Sequence, residues 1–305
     1  MSTPALEPAL PGQQWDLDSP LGTLRLYGSQ PPASQSAPRP LLLVHSINAA
    51  ASAREWAPVF HALGDKRPVY ALDLPGYGHS ARPAIRYTPR LMTDAIHQAQ
   101  EHLQSLHPLQ ALDAMGLSLS CEFLARAAKE QPAAYATLGL VSPTGFNRDQ
   151  PWDGPELSHR GKDWLYRNLT RPLWKDKLFS MLTSRTSVAF FLRKTFGSKD
   201  VPASLIDYAW KSAHQPGAAH APFDFLSGFL FSADSTRLYD SLRMPVWMAH
   251  GNRGDFTDYR RKRFYTDRPN WTIQQYSAGA LPHYDRLPDF LRDYEAFLQH
   301  NRGLA

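Results

Sequence analysis

The sequence predicts an α/β protein, in which helices flank a mostly parallel, twisted sheet on both faces. Short, uninterrupted apolar runs such as Leu41–Val44 and Val69–Leu72 recur along the chain, and such runs are typical of strands that are covered on both faces. Longer segments with helical spacing of apolar residues lie between them. Strands that alternate with helices in this way form parallel sheets.

The elements follow in chain order. Residues 15–18 and 22–27 alternate in polarity as an opening antiparallel hairpin does, and residues 30–40 form a linker rich in Pro and Ser. Further strands are predicted at 41–44, 69–72, 112–115, 138–141, 246–249 and 271–276, and helices at 54–63, 91–106 and 290–300. A chain of 305 residues can form one large domain that carries an insertion.

The insertion is predicted at residues 147–240, where no buried strand is evident and the helical patterns carry many aromatic residues. We interpret most of these aromatic residues as ordinary helix core. A helical block between two strands lies over the carboxyl ends of the strands, where open α/β sheets bind ligands. We therefore predict a core of residues 1–146 and 241–305 with a helical lid at 147–240; a separate, independent domain is the alternative.

The charge and cysteine content limit the classes of ligand and partner that this chain is expected to bind. The net charge is +5, from 33 Lys and Arg against 28 Asp and Glu, with no long block of one sign. The densest cluster, residues 260–263, is predicted to be a solvated helix face, so no nucleic-acid partner is expected. Cys121 is the only cysteine, which excludes an intrachain disulfide and a cysteine-based metal site. We expect it to be a small buried residue.

The amino-terminal segment does not resemble a secretion signal. Residues 1–13 are rich in Pro and Ala and lack both a basic start and an apolar core. No stretch approaches the roughly 18 apolar residues that span a bilayer. The expectation is a cytoplasmic protein without a membrane span, and the sequence leaves its oligomeric state open.

The strongest indication of function is Gly-Leu-Ser-Leu-Ser at residues 116–120, between an apolar run and a helical stretch. A serine at such a strand-to-helix turn sits on a strained backbone that exposes its hydroxyl. Gly116 supplies the small neighbour that this turn needs, while Ser120 stands where the G-x-S-x-G pattern has its second glycine. The alternative is that Ser118 merely caps the following helix.

Two further motifs precede this turn. Residues 43–48 read Leu-Val-His-Ser-Ile-Asn, and residues 72–80 read Leu-Asp-Leu-Pro-Gly-Tyr-Gly-His-Ser, which fits a D-x-P-G-x-G-x-S loop. With the turn at Ser118 and the strand, acid and histidine that follow the lid, the chain from Leu41 to its end resembles an α/β-hydrolase-fold protein with a helical cap. In these motifs we expect His45, Asp73 and His79 to be structural.

The resemblance implies a catalytic triad. A serine hydroxyl becomes a nucleophile when a histidine takes its proton and a carboxylate orients that histidine, and the family orders them as serine, acid, histidine. Ser118 is the implied nucleophile. Asp255, one residue later than the family's usual position, is the implied acid; Asp258 is the alternative and is more readily interpreted as a turn residue.

The implied base is His283, the only histidine between the last strand and the final helix. The family places its histidine directly after a glycine, and here Ala280 follows Gly279. His283 falls three residues later, and the competing interpretation is that the triad is broken.

The resemblance also implies an oxyanion hole, made by two backbone N–H groups that face the developing negative charge. One is the N–H of Leu119, directly after the nucleophile, and the other is that of Ile47. Ser46 replaces the usual glycine of this loop. Asn48 is predicted to add a side-chain donor or to orient the substrate.

The leading prediction is a serine hydrolase without metal or organic cofactor. It would cleave an ester, a thioester or an activated C–C bond of a small, largely apolar substrate through an acyl-enzyme, because aromatic walls favour apolar groups. A catalytically degenerate ligand-binding or partner-binding protein is the alternative, motivated by Ser46, Ser120, Ala280 and the late Asp255. A cofactor-independent lyase or perhydrolase that uses the same triad also remains open.

Overall fold

A single eight-stranded sheet organises the computed structural model, which describes residues 3–29, 38–108 and 110–302. The strands are, in chain order, β1 (Gln13–Leu17), β2 (Leu24–Gly28), β3 (Leu41–Val44), β4 (Val69–Leu72), β5 (Leu112–Leu117), β6 (Tyr135–Val141), β7 (Val246–Gly251) and β8 (Trp271–Tyr276). Their order in the sheet is β1-β2-β4-β3-β5-β6-β7-β8. β1 and β2 are antiparallel, and every pairing among β3 to β8 is parallel.

The central strands separate two hydrophobic cores. Leu42 and Val44 of β3 face one core, while Leu41 and Leu43 face the other. Successive side chains of a strand point to opposite faces, so a strand with a core on each side must be apolar at every position. This accounts for the uninterrupted apolar runs of the sequence.

All predicted strands are present; the first two are shifted by one or two residues, and β5, β6 and β7 are longer than predicted. β5 continues to Leu117 because Gly116 and Leu117 still pair with β6, and β6 begins at Tyr135. The predicted linker at 30–40 lies outside the described residues except for 38–40.

The predicted helices are also present. The helix expected at 54–63 is a short 3₁₀ helix (Ala53–Trp56) followed by α1 (Ala57–Gly64). α2 (Pro89–Leu106) starts two residues early, since the Thr88 hydroxyl accepts the N–H of Leu91 as an N-cap does. The remaining core helices are α3 (Ser120–Glu130), α10 (Pro282–Asp285) and α11 (Leu287–His300).

Six helices lie between β6 and β7: α4 (Asp163–Leu169), α5 (Lys175–Leu182), α6 (Arg185–Phe196), α7 (Ala203–Ala213), α8 (His220–Leu226) and α9 (Ser235–Ser241). They form the inserted helical cap, and its limits at 147 and 240 stay a prediction. Buried polar contacts tie the cap region to α3. Arg126 pairs with Asp234 at 2.7 Å, and the Glu122 carboxylate accepts the N–H of Ser232 at 2.8 Å.

One expectation about the cap was wrong in part. Trp164, Trp174, Phe190 and Phe191 are exposed rather than part of a helix core. The physical reason is that few other elements cover these helices: α4 and α5 contain no fully buried residue, and α6 has only two. None of the described helices combines the length and the apolar character that crossing a membrane requires.

Candidate functional site at the Ser118 turn

Ser118 joins the end of β5 to the start of α3 with φ of +56°. Its N–H donates to the carbonyl of Val141 at 2.8 Å, and its own carbonyl accepts the N–H of Cys121 at 3.2 Å. A non-glycine residue in this region is strained by about 1–3 kcal/mol and persists only where the surroundings impose it. The strained turn predicted from the sequence is therefore confirmed. Ser118 is not the N-cap of α3, because that position is Leu119 and makes no side-chain capping bond.

The two small residues beside Ser118 each have a structural reason. A Cβ on Gly116 would lie 3.1 Å from the backbone nitrogen of Cys121, so a larger residue would push on the turn. Ser120 is tolerated in place of glycine because its buried hydroxyl donates to the carbonyl of His45. This bond ties the turn to the loop after β3. Cys121 is buried as expected, and burial raises the pKa of its thiol.

The two implied oxyanion donors lie beside this turn. Within the described ranges, neither the N–H of Ile47 nor that of Leu119 has a hydrogen-bond partner. The Ser118 hydroxyl likewise bonds no described residue. Because buried N–H groups are almost always paired, these donors indicate a place for an acceptor oxygen.

We name residues 45–50, the loop after β3 that contains the implied donor Ile47, the oxyanion loop. Glu55, which the sequence reasoning missed, holds this loop. Its buried carboxylate accepts the Ser46 N–H at 2.8 Å, the Ser46 hydroxyl at 2.9 Å and the Asn48 amide at 3.0 Å. Ser46, which stands where the family usually has glycine, therefore donates both its N–H and its hydroxyl to this carboxylate. The Asn48 side chain also accepts the N–H of Ala50 at 2.7 Å, so it is engaged within the loop. The one signal available in the sequence was a single acid in a segment that is mostly apolar apart from the neighbouring Arg54 and Ser52.

The structural roles predicted for His45, Asp73 and His79 are confirmed. Nε2 of His45 accepts the N–H of Leu74 at 3.0 Å, and its Nδ1 lies 2.6 Å from the carbonyl oxygen of Ser46. The buried Asp73 carboxylate accepts the N–H of His79 at 2.8 Å. These bonds fix the loops after β3 and β4 against each other.

His283 lies in α10 and is fully buried. Its ring stacks on Trp56 with 4.6 Å between centroids, and its Nε2 lies 2.8 Å from the carbonyl oxygen of Glu55. Since a carbonyl can only accept, Nε2 carries the proton. Nδ1 has no partner among the described residues. Burial lowers the pKa of His283 to about 4, so the ring is neutral at neutral pH.

The two candidate acids lie at the surface. The Asp255 side chain is 52% exposed and pairs with Lys194 at 2.9 Å. Asp258 pairs with Arg260 at 2.7 Å. Within the described part of the chain, no hydrogen bond links any two of the implied triad residues, which are Ser118, His283 and either Asp255 or Asp258.

The end of α6 covers the loop in which the family places its histidine. The N–H of Ala280 donates to the carbonyl of Thr195 at 2.7 Å, and a Cβ on Gly279 would clash with the carbonyl of Phe196. Gly254, in the loop that holds Asp255, contacts Gly197 at the end of the same helix. The cap backbone thus fills the space above both loops. Among the described residues there is no cluster of three or more His, Cys, Asp or Glu side chains that could hold a metal ion.

The comparisons with known proteins agree with this geometry. The model of the alpha/beta hydrolase family matches residues 41–293. The chain therefore belongs to the α/β-hydrolase family.

Curated relatives are longer than the matched part of this chain. An abhydrolase domain-containing protein, abhd-5.2, of Caenorhabditis elegans is 28% identical over 73% of this chain and 50% of its own length. The 1-acylglycerol-3-phosphate O-acyltransferase ABHD5 of Rattus norvegicus is 29% identical over 37% of this chain and 32% of its own length. The chain thus spans half or less of the relatives it matches.

Solved structures share the fold across nearly the whole chain. A probable hydrolytic enzyme of Pseudomonas aeruginosa has a TM-score of 0.70 at 18% identity and covers 96% of both chains. A thermophilic esterase of Thermogutta terrifontis has a TM-score of 0.69 at 16% identity, over 95% of this chain and 99% of the esterase. At such identities the likeness concerns the fold alone.

Proposed function

We propose that this α/β-hydrolase-family protein binds a small, largely apolar carbonyl compound at Ser118 and does not hydrolyse it through a serine–histidine–acid triad. One observation carries the proposal. The loop after β8 offers Ala280 where the family has its base, and its only histidine, His283, is buried against Trp56 and bonded to the Glu55 carbonyl.

Binding is supported by the donors around Ser118. The N–H groups of Ile47 and Leu119 and the Ser118 hydroxyl have no partner in the described part of the chain. Leaving a buried donor unpaired costs about 1–3 kcal/mol. The carbonyl oxygen of an ester, a thioester or a carboxylic acid would pair with these groups, as it does in an oxyanion hole.

Slow or absent turnover follows from the missing proton acceptor. A serine hydroxyl needs a base within hydrogen-bond reach, and that base needs a group that orients it. The protonated Nε2 of His283 already serves the Glu55 carbonyl, and Asp255 is paired with Lys194. An acyltransferase, as the rat relative is named, would need the same base as a hydrolase.

A second candidate function is the serine hydrolase itself, with Ser118 as nucleophile, His283 as base and Asp255 as acid. The strained turn favours it, because such strain concentrates at active sites. This candidate requires His283 to give up its bond with Glu55.

The test compares the wild type with Ser118→Ala, using a fluorophosphonate probe, 4-nitrophenyl butyrate turnover and thermal melts with octanoate. We expect the wild type to show no labelling and no turnover above the level of the Ser118→Ala variant. We also expect octanoate to raise the Tm of the wild type, and to raise that of Ser118→Ala by less. Stoichiometric labelling within minutes that disappears in both Ser118→Ala and a folded His283→Gln variant would overturn the proposal and establish the hydrolase. Absence of any octanoate effect would refute the binding role.

A further inference from the structure

Two cap helices, α4 and α5, present a surface that the fold leaves uncovered. We name residues 162–182, which include both helices and their connection, the α4–α5 face. Neither helix has a buried residue. Short helices in proteins owe their stability mainly to packing of an apolar face, and here Leu165, Tyr166, Leu178 and Phe179 are only partly covered.

Large apolar side chains project from this face. Leu173 is 85% exposed, Met181 62% and Trp164 58%, and Trp174 is also exposed. Leu173 and Trp174 lie at the connection, directly before α5, and Met181 follows two turns later. A concentration of exposed apolar side chains in one segment favours interaction with another surface.

Basic residues alternate with these apolar residues along the segment. Residues 162–177 contain five Lys or Arg and two Asp. Lys162, Arg167, Arg171, Lys175 and Lys177 form no ion pair within the described ranges of the chain. The cluster at 260–263 differs, because Arg260 pairs with Asp258 and Arg263 with Asp149. The α4–α5 face therefore keeps its charge available for an anionic partner.

We propose that the α4–α5 face docks onto the surface of an anionic lipid bilayer, with Leu173 and Trp174 entering the headgroup and acyl boundary. Apolar and aromatic tips ringed by Lys and Arg are what such an interface binds, through apolar burial and attraction to anionic headgroups. The Trp174 indole donates its Nε1–H to the carbonyl of Asn168 at 2.9 Å, so the polar group of this ring is already paired before entry. Lysine stems can lie along the apolar layer with their charges at the headgroups.

A nucleic acid is a poorer fit to the same face. Single strands bind aromatic rings on which bases stack, whereas the most exposed groups here are aliphatic, Leu173 and Met181. Docking does not depend on the chemistry proposed at Ser118, and its test uses no activity.

The experiment measures sedimentation of the purified chain with phosphatidylcholine vesicles that contain either no phosphatidylserine or 30% phosphatidylserine, at roughly 50 and 300 mM salt. We expect binding to the anionic vesicles at low salt that weakens as salt rises. Leu173→Glu and the pair Lys175→Gln/Lys177→Gln should each weaken binding by roughly tenfold or more. All three positions are exposed, and circular dichroism verifies that the variants fold.

Phe264→Glu and the pair Arg260→Gln/Arg263→Gln are the matched controls, since they change exposed aromatic and basic groups on the core. These controls should bind as the wild type does. The proposal is overturned if the wild type binds neither vesicle, or if the controls and the test variants lose vesicle binding equally. It is also overturned if a short duplex DNA binds the chain as tightly as the anionic vesicles do and Leu173→Glu does not weaken vesicle binding. A dimer that Leu173→Glu dissociates, without vesicle binding, would assign the face to a second copy of the chain.

Discussion

The two sides of the candidate site differ in how their residues are held. On the nucleophile side, Ser118 keeps its left-handed backbone, and the donors of Ile47 and Leu119 remain unpaired in the described chain. On the other side, His283 and Asp255 make contacts of their own with Glu55 and Lys194. Ser118 is placed by buried strands and their hydrogen bonds, whereas Asp255 lies on an exposed loop and His283 in the short helix α10. The difference teaches that the backbone of the Ser118 turn is set locally, while the surroundings of the implied acid and base depend on distant segments.

Glu55 connects the two sides. Its carboxylate holds the oxyanion loop through Ser46 and Asn48, and its backbone carbonyl accepts a hydrogen bond from Nε2 of His283. A change at this residue therefore tests whether the nucleophile side depends on the rest of the site.

The largest expected effect is that of Glu55→Ala. It removes three hydrogen bonds to a buried carboxylate and leaves the N–H of Ser46 without a partner. We expect a loss of about 4 kcal/mol in the free energy of unfolding, measured in urea, because bonds to charged groups are worth about 1.5–3 kcal/mol each and water offsets part of the loss.

Glu55→Gln is the matched control, because its amide oxygen can still accept from the loop. It should lose less than half as much. Equal losses in the two variants, or a loss below about 1 kcal/mol in Glu55→Ala, would contradict the role given to this carboxylate.

The next effect concerns pH and His283. Its pKa falls from 6.5 when unfolded to about 4 when folded, so the unfolded chain binds the extra proton between these values. The stabilisation is complete above pH 6.5 and is lost as the pH falls toward 4; for this group alone it amounts to about 3 kcal/mol. His283→Phe should flatten the decline of the unfolding free energy across this window.

Tyr284→Phe serves as the comparison variant, since it removes a hydrogen bond to the Arg54 carbonyl beside His283 and leaves the histidine in place. Its stability should fall with pH as steeply as that of the wild type. An unchanged slope in His283→Phe would show that His283 is not the neutral buried group described above.

The smallest effect tests the tie between the Ser118 turn and the oxyanion loop. Ser120→Ala deletes the buried hydroxyl that donates to the His45 carbonyl. We expect a loss of about 1 kcal/mol in unfolding free energy, whereas Ser105→Ala, which removes an exposed hydroxyl, should stay within about 0.5 kcal/mol of the wild type. No difference between the two would mean that Ser120 is merely a small residue at this position.

The fold could be predicted from the sequence because its strands are apolar at every position. Leu41–Val44 and Val69–Leu72 are confirmed to the residue, since both faces of these strands are buried. The strained turn at Ser118 was also predictable, because Gly116 and the abrupt change from strand to helix are local features.

The surroundings of His283 could not be predicted in the same way. Its partners Trp56 and Glu55 lie more than 200 residues away in the chain, and the position of Thr195 above Ala280 depends on how the cap packs. The exposure of Trp174 was missed for a related reason, since helical spacing does not show whether a neighbour covers the apolar face.

The packing of residues 279 and 280 against the end of α6 has a consequence for how the sequence can vary. The Ala280 N–H is bonded to the carbonyl of Thr195, and a side chain on Gly279 would clash with the carbonyl of Phe196. Two segments that are distant in the chain therefore constrain each other, so a substitution in this loop is expected to depend on the position of α6.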